Sequence, residues 1–179
     1  MRGRGSRAAK GVDGESGAEV SYGVCMNLVD ELHAIAGALV AAGIPHAVCG
    51  GIAVTVHGAI RSTKDIDLLV LPGDVARVLE AVRPLGYAFA ALPMTFEAGT
   101  PRERNVQRVT KIDGKAHLLL DLLLAEGPLA GMLADRVEVQ LERGALSVVS
   151  RETLIQMKRF AGRPQDLADL EKLEAAEPR

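Results

Sequence analysis

Two aspartates, Asp65 and Asp67, are the side chains of this sequence best placed to do chemistry. They begin an apolar run over 65–70, DIDLLV, whose aliphatic and β-branched residues predict a buried strand. Because side chains alternate along a strand, both carboxylates project to the same side, and at ~3.3 Å per residue their Cα atoms lie about 6.6 Å apart. Carboxylates at this spacing can bind one hard divalent cation. A merely polar strand end is the alternative.

Asp121 is a third carboxylate in an apolar setting. It stands inside the segment 117–124, HLLLDLLL, which together with 105–112 and the Asp113-Gly114 turn predicts a β-hairpin. An unpaired charge buried there would be strongly destabilising. The carboxylate therefore needs a partner, whose identity the residues leave open; a bound proton or a salt bridge to an arginine or lysine would suffice.

The pair Gly50-Gly51 precedes the aspartates and predicts a place where backbone and ligand can approach closely, because neither residue has a Cβ atom. The segment 52–57 predicts a short helix whose free N–H groups and dipole favour phosphate at its start. Arg61 and Lys64 lie in the following turn and flank the same place. The alternatives are turn glycines and solvated turn charges.

The combination of these residues resembles a known signature. A Gly-Gly pair, a spacer of 13 residues over 52–64, and then Asp-Ile-Asp within apolar neighbours is similar to the first motif of the DNA polymerase β-type nucleotidyltransferase superfamily. The spelling GGIAVTVHGAIRSTKDIDLLV resembles small bacterial nucleotidyltransferases related to the AbiEii toxins of abortive-infection and toxin–antitoxin systems. The resemblance spans roughly 47–173.

The resemblance implies a fold and a site. The fold is α/β (α+β), with a mixed β-sheet nucleotidyltransferase core flanked by helices and a short C-terminal helical pair. Asp65, Asp67 and Asp121 are then catalytic residues that bind Mg²⁺, as two ions, with Mn²⁺ as a substitute. Lys158, in the segment LIQMKRFAGRPQDLADL, matches a lysine that reaches nucleotide phosphates. A solvated helix face is the alternative for this lysine.

The implied activity is transfer of a nucleoside monophosphate from an NTP to an acceptor hydroxyl. A tRNA end, a protein or a small molecule could be the acceptor, and a cognate antitoxin could be a partner of a toxin-like protein. The chain has only 30 residues after Val149, fewer than the C-terminal helical domain of AbiEii-type toxins usually contains. The rival hypothesis is a non-catalytic nucleotide-binding or antitoxin-like partner protein, although a degenerate site would be expected to lose an aspartate.

The elements that position these residues follow from hydrophobic period and capping signals. Apolar residues at three- and four-residue spacing predict a helix over about 22–42, and Ser150, Gly162 and Pro164 delimit two helices within 150–179. The segment 90–104 lacks a period and contains prolines and a glycine, so it predicts a mobile loop, either a substrate-facing lid or a surface excursion. Other predicted elements are strands at 46–49, 86–89, 136–141 and 145–149, a helix from Pro72 to about 85, and a helical turn at 128–133.

Composition sets the class of protein. The chain has 179 residues, of which 48% are hydrophobic and 25% charged, which suits one globular domain over 20–179. The segment 1–19 is rich in Gly, Arg and Ser and predicts a disordered tail or, alternatively, a basic arm that touches RNA. A net charge of −2 excludes a general attraction to nucleic acid or to anionic membranes. Cys25 and Cys49 are expected to be buried free thiols, and the absence of a membrane span or signal peptide predicts a cytoplasmic location.

Overall fold

A computed structural model of the chain describes residues 27–176. The tail predicted over 1–19, Cys25 and the first turn of the helix predicted from about residue 22 lie outside the described residues. Within them the mixed α/β architecture expected from the sequence is confirmed, with helices against both faces of one sheet.

Over the described residues, eight strands form the sheet, in the order β3-β5-β6-β2-β1-β8-β7, and β4 pairs with β5 at the same edge as β3. Two of the pairings, β2 with β6 and β1 with β8, are parallel, whereas the others are antiparallel. The strands are β1 (His46–Val48), β2 (Asp65–Val70), β3 (Tyr87–Ala90), β4 (Met94–Phe96), β5 (Arg104–Asp113), β6 (Ala116–Leu124), β7 (Arg136–Leu141) and β8 (Gly144–Val149).

The fourth helix begins and ends at the expected signals: Ser150 caps its start by accepting a hydrogen bond from the Thr153 N–H, and Gly162 ends it in the left-handed conformation. The first helix begins later than the predicted residue 22, because Asn27 is extended and caps it by accepting a hydrogen bond from the Val29 N–H. Among the described residues no helix has both the length and the apolar character that crossing a bilayer requires. The helices are α1 (Leu28–Ala41), α2 (Gly50–Val56), α3 (Val75–Val82), α4 (Arg151–Ala161) and α5 (Pro164–Ala175).

The two faces of the sheet carry different helices. Glu31 of α1 forms a salt bridge with Lys111 of β5 at 2.6 Å, and α3 packs beside α1, so this pair covers one face. Arg108, three residues before Lys111, points to the other face, where α4 and α5 lie. Strands β2 and β6 are buried on both faces, which explains their nearly continuous aliphatic sequences.

Two local predictions are corrected. The segment 90–104 is not a structureless loop, because β4 lies within it and pairs Met94 with Val106 and Phe96 with Arg104. Three residues are too few to show a period, and the surrounding prolines and glycine dominate the composition. The short helix α2 begins at Gly50 and not at residue 52, so the glycines form its first turn instead of preceding it.

Candidate active site

The register of two parallel strands brings the three aspartates together. Strand β2 pairs with β6 so that Asp67 stands directly beside Asp121, and Asp65 lies two residues earlier on the same face. One carboxylate oxygen from each residue lies within 4.8 Å of the others. The side chains that the sequence singles out therefore converge on one place, at the N-terminal end of α2.

The two glycines allow the backbone of α2 to approach these carboxylates. Gly50 has φ +60°, a conformation that favours glycine, and a Cβ atom there would overlap the Asp67 carboxylate. A Cβ atom on Gly51 would lie 2.8 Å from Oγ1 of Thr63. Thr63 in turn donates a hydrogen bond to Oδ1 of Asp65 at 2.9 Å, an orienting contact that sequence analysis did not identify.

Crowding of negative charge changes the acidity of the central aspartate. Burial, followed by the neighbouring Asp65 and Asp121 carboxylates, raises the pKa of Asp67 from 3.8 to about 6. Lys158 and Arg163 offset part of this rise. The ionised Asp67 carboxylate is thus disfavoured by burial and by its two acidic neighbours, and a bound divalent cation would relieve both effects.

Arg108 forms a bidentate salt bridge with Asp121. Its Nε donates to Oδ1 and its Nη2 to Oδ2, both at 2.7 Å, and the two residues are direct partners in the antiparallel pair β5–β6. The salt bridge that the sequence left open as a partner for Asp121 is therefore present. Asp121 is nevertheless also a member of the carboxylate cluster.

Lys158 is buried, with 4% of its surface exposed, so the solvated helix face considered for it is wrong. Its Nζ lies 3.0 Å from Oδ1 of Asp166 and 2.8 Å from Oδ2 of Asp169. Arg61 and Arg163 share these two carboxylates, Arg61 with Asp169 at 2.8 Å and Arg163 with Asp166 at 2.7 Å. This network joins α4, α5 and the turn after α2.

A cavity of about 580 Å³ opens at the carboxylates. The predicted site residues in its wall are Gly50, Gly51, Arg61, Asp65, Asp67, Asp121 and Lys158. The structure does not bring Lys64 into this wall; its side chain is exposed on the turn before β2.

Sequence analysis missed the other side of the cavity. Met94 and Phe96 of β4 and Val106 of β5 make it largely apolar, and the Arg104 guanidinium lies 5.2 Å from the centre of the Phe96 ring. These residues have no motif of their own. They follow from the register of β4 and β5, which only the structure provides.

Comparisons with known proteins identify the fold. No family model matches the chain, and no curated protein matches it in sequence. In structure, the chain is similar to a Thermotoga maritima protein described as a nucleotidyltransferase, with a TM-score of 0.58, 15% identity, and coverage of 82% of this chain and 92% of that one.

Two antibiotic-modifying enzymes have a similar structure. The lincosamide adenylyltransferase LnuA, solved with lincomycin, has a TM-score of 0.52 at 14% identity, over 82% of this chain and 96% of that one. ANT(2″)-Ia, solved with adenylyl-2″-tobramycin, has a TM-score of 0.52 at 16% identity, over 82% of this chain and 87% of that one. At these identities the shared feature is the fold. The chain therefore has the nucleotidyltransferase fold, with its carboxylate cluster in a cavity.

Proposed function

We propose that this protein is a metal-dependent nucleotidyltransferase, which moves a nucleoside monophosphate from an NTP to an acceptor hydroxyl. The observation that carries the proposal is the convergence of Asp65, Asp67 and Asp121 in a cavity of a nucleotidyltransferase-type fold. A structural role alone would not require three carboxylates within 4.8 Å of one another, because like charges at that distance repel.

The donor set suits Mg²⁺, with Mn²⁺ as a substitute. Three carboxylates are hard oxygen ligands, and Mg²⁺ is usually held by one or two carboxylates together with substrate phosphates, so the triad and a triphosphate together would supply ligands for two ions. Such ions, when bound, neutralise charge on the phosphates and lower the pKa of an attacking hydroxyl. The raised pKa of Asp67 supports this assignment, since the crowded carboxylates would gain most from a cation.

Other groups of the chain would bind the triphosphate. Gly50 and Gly51 line the cavity, and their N–H groups in the first turn of α2 would donate to the β- and γ-phosphates. Arg61 and Arg163 lie in the cavity wall and would attract the same phosphates. Lys158, which also lies in the cavity wall, adds positive charge beside them, since both arginines pair with its aspartate partners.

The two remaining assignments concern residues at the edges of this site. Asp121 lies on the strand nearer to β5 and would accept the proton of the acceptor hydroxyl. Lys64 is exposed beside the turn, where it would contact only the outer end of a triphosphate.

Two further proposals concern the biological role of the protein and the identity of its acceptor. Within nucleotidyltransferases we retain the AbiEii-like assignment, a toxin-like role with a cognate antitoxin, on the motif resemblance alone. A cavity of about 580 Å³ holds a small molecule or the end of a larger one, so small molecules, tRNA ends and protein side chains all remain acceptors to test. A reduced, buried Cys49 and an NTP substrate support a cytoplasmic location.

Incubation of the protein with each labelled NTP, Mg²⁺ and a cell extract tests the proposal. We expect the label to appear on an acceptor and pyrophosphate to be released, and we expect neither in the presence of EDTA. Metal-independent labelling would contradict the proposed chemistry.

One observation favours a second candidate, a non-catalytic nucleotide-binding protein. Arg108 already occupies both oxygens of Asp121, which would suit a triad that no longer binds a full complement of metal. Nucleotide binding without any Mg²⁺-dependent pyrophosphate release, in the presence of the same extract, would support this candidate against the first.

A further inference from the structure

Arg108 lies in the cavity wall beside the carboxylate cluster, and the proposed reaction assigns it no task. It stands in one row of the sheet with Asp121 and Asp67, as the register of β5, β6 and β2 shows. All three side chains project from the same face, because directly paired residues share a face. Arg108 is therefore a permanent neighbour of the carboxylate cluster.

Arg108 and a metal ion would compete for the same carboxylate. The guanidinium donates to both oxygens of Asp121 at 2.7 Å. A cation held by the carboxylate cluster would share at least one of these oxygens with Arg108, and it would repel a guanidinium so close to it. Loading of the cluster would therefore weaken the Arg108–Asp121 pair.

The position of Arg108 identifies what it meets once it is released. In phosphoryl transfer the attacking and leaving oxygens lie roughly in line on opposite sides of the transferred phosphorus. The proposed pyrophosphate position is at Gly50 and Arg61, beside α2. The acceptor then approaches from the opposite side of the cluster, where β6 is followed by β5 and β4. Arg108 lies on that side.

The wall on the acceptor side is apolar and basic. Met94, Phe96 and Val106 supply its apolar surface, and Arg104 lies against the Phe96 ring. The described carboxylates in the cavity wall are Asp65, Asp67, Asp121 and Asp166, and each belongs to the cluster or to the Lys158 network. The described part of the wall thus offers a cationic acceptor no free carboxylate.

We propose that Arg108 selects the acceptor, and that the acceptor carries an anionic group and a planar apolar group close to its reactive hydroxyl. In the metal-free protein Arg108 holds Asp121; after metal binding it turns to the anionic group, while the planar group packs on Phe96. We expect polycationic acceptors such as aminoglycosides to bind more weakly than anionic ones. This inference rests on the proposed function for the position of the acceptor.

The first test measures metal binding and not activity. Mn²⁺ is titrated calorimetrically into metal-free wild type, Arg108→Gln and the control Arg83→Gln, which removes an exposed arginine after α3 that lies outside the cavity wall. We expect Arg108→Gln to bind Mn²⁺ about tenfold more tightly, because the competing cation is gone, and Arg83→Gln to match wild type. Unchanged or weaker binding by folded Arg108→Gln would overturn the proposal.

The second test uses three probes that share one ring and differ in charge: 4-nitrobenzyl phosphate, 4-nitrobenzyl alcohol and 4-nitrobenzylamine. Their affinities are measured on protein loaded with Mn²⁺ and a non-hydrolysable ATP analogue. We expect wild type to prefer the phosphate over the amine, and Arg108→Gln to lose about tenfold of that preference. Equal affinities in wild type, or an undiminished preference in Arg108→Gln, would overturn the proposal.

Two further measurements separate the role of Arg108 from a loss of folding and from a failure of the proposed function. Arg108→Lys retains the charge without the bidentate fork, so it should retain part of the anion preference even if Arg108→Gln unfolds. Pyrophosphate release from NTPs is measured on the same samples. Normal release with no anion preference contradicts only the role of Arg108, whereas a wild type that binds neither Mn²⁺ nor the ATP analogue contradicts the proposed function itself.

Discussion

At the scale of single residues, three carboxylates and the start of a helix lie almost in contact. The close approach is sterically possible because Gly50 has a positive φ and no Cβ atom, which leaves room for Asp67. The negative charge of Asp67 remains unfavourable there, as its raised pKa shows. Both features give predictions that can be measured without knowing the acceptor.

The stability of the metal-free protein should depend on the protonation of Asp67. Its pKa of about 6 in the folded protein exceeds the ordinary 3.8, so the folded state binds the proton more tightly. The free energy of unfolding in EDTA should therefore fall as pH rises from about 4 to about 6. Urea denaturation at several pH values measures it, with Asp67→Asn as the reference, in which this contribution is absent.

Addition of Mg²⁺ should reverse the loss above pH 6, because a cation bound by the cluster favours the folded state. If wild type and Asp67→Asn showed parallel pH profiles in EDTA, the raised pKa that burial and the neighbouring carboxylates give Asp67 would be refuted.

Gly50→Ala should damage the site more than a glycine replacement elsewhere. A Cβ atom would collide with Asp67, and φ +60° is unfavourable for alanine, so we expect a loss of ~1–3 kcal/mol in stability and weaker metal binding. Gly37→Ala is the matched control, because Gly37 lies exposed in α1 with no atom within 4 Å of the added Cβ. The control should be neutral or stabilising by up to ~1 kcal/mol. Equal effects of the two substitutions on Mn²⁺ affinity would argue against this view of Gly50.

At the scale of elements, the C-terminal helix pair is attached to the core by buried charge. Lys158 of α4 binds two aspartates of α5, and Arg61 extends the network to the turn before β2. This role differs from the simple phosphate contact that the motif resemblance implies, because the Nζ atom already has two carboxylate partners. Loss of the lysine should therefore affect folding before it affects ligand binding.

Lys158→Met should lower the free energy of unfolding by about 3–5 kcal/mol, because Asp166 and Asp169 would lose a buried partner. Lys172→Met, on the exposed side of α5, is the control and should change stability by less than about 1 kcal/mol. Thermal and chemical denaturation measure both variants. A stable Lys158→Met protein that merely binds NTP more weakly would instead favour direct contact between Lys158 and the phosphates.

The sequence was most informative where local signals sufficed. The bounds of β2 and the capping residues of α4 were predicted, because an apolar run, Ser150 and Gly162 are local features. Strand β4 was missed because its three residues depend on pairing with β5. The partners of Lys158 were also missed, since two of its contacts become apparent only when α5 folds back on α4.

The hairpin register explains why the sequence did not identify Arg108. A two-residue turn at Asp113-Gly114, as the sequence predicts, would pair Ile112 with Lys115 and place Val106 opposite Asp121. In the structure the turn lies one residue later: Asp113 pairs with Ala116, and counting back along both strands places Arg108 opposite Asp121. A shift of one residue in the turn thus decides which residue faces the buried aspartate. The Arg104 and Phe96 pair also lacks a local signal, because no tight turn sets the register of β4 and β5.

At the scale of the whole molecule, several elements surround one site at the start of β2. The parallel pair β2–β6 supplies the carboxylates, α2 supplies free N–H groups, α4 and α5 bring cations from one side, and β4 and β5 form the apolar wall on the other. The sheet order separates the proposed donor and acceptor sides, since α2 follows β1 whereas β5 lies beyond β6. The proposed nucleotidyl transfer would use all of these parts together.

Mg²⁺-dependent pyrophosphate release from NTPs, in the presence of cell extract, tests this account most directly when wild type, Asp67→Asn and Asp135→Asn are compared. Asp67→Asn removes a charge from the carboxylate cluster with little change in shape, whereas Asp135 is exposed and lies outside the cavity wall. The account predicts release by wild type and Asp135→Asn and a loss of at least about 10²-fold in Asp67→Asn, with the fold retained. Release by Asp67→Asn at the wild-type rate would contradict it.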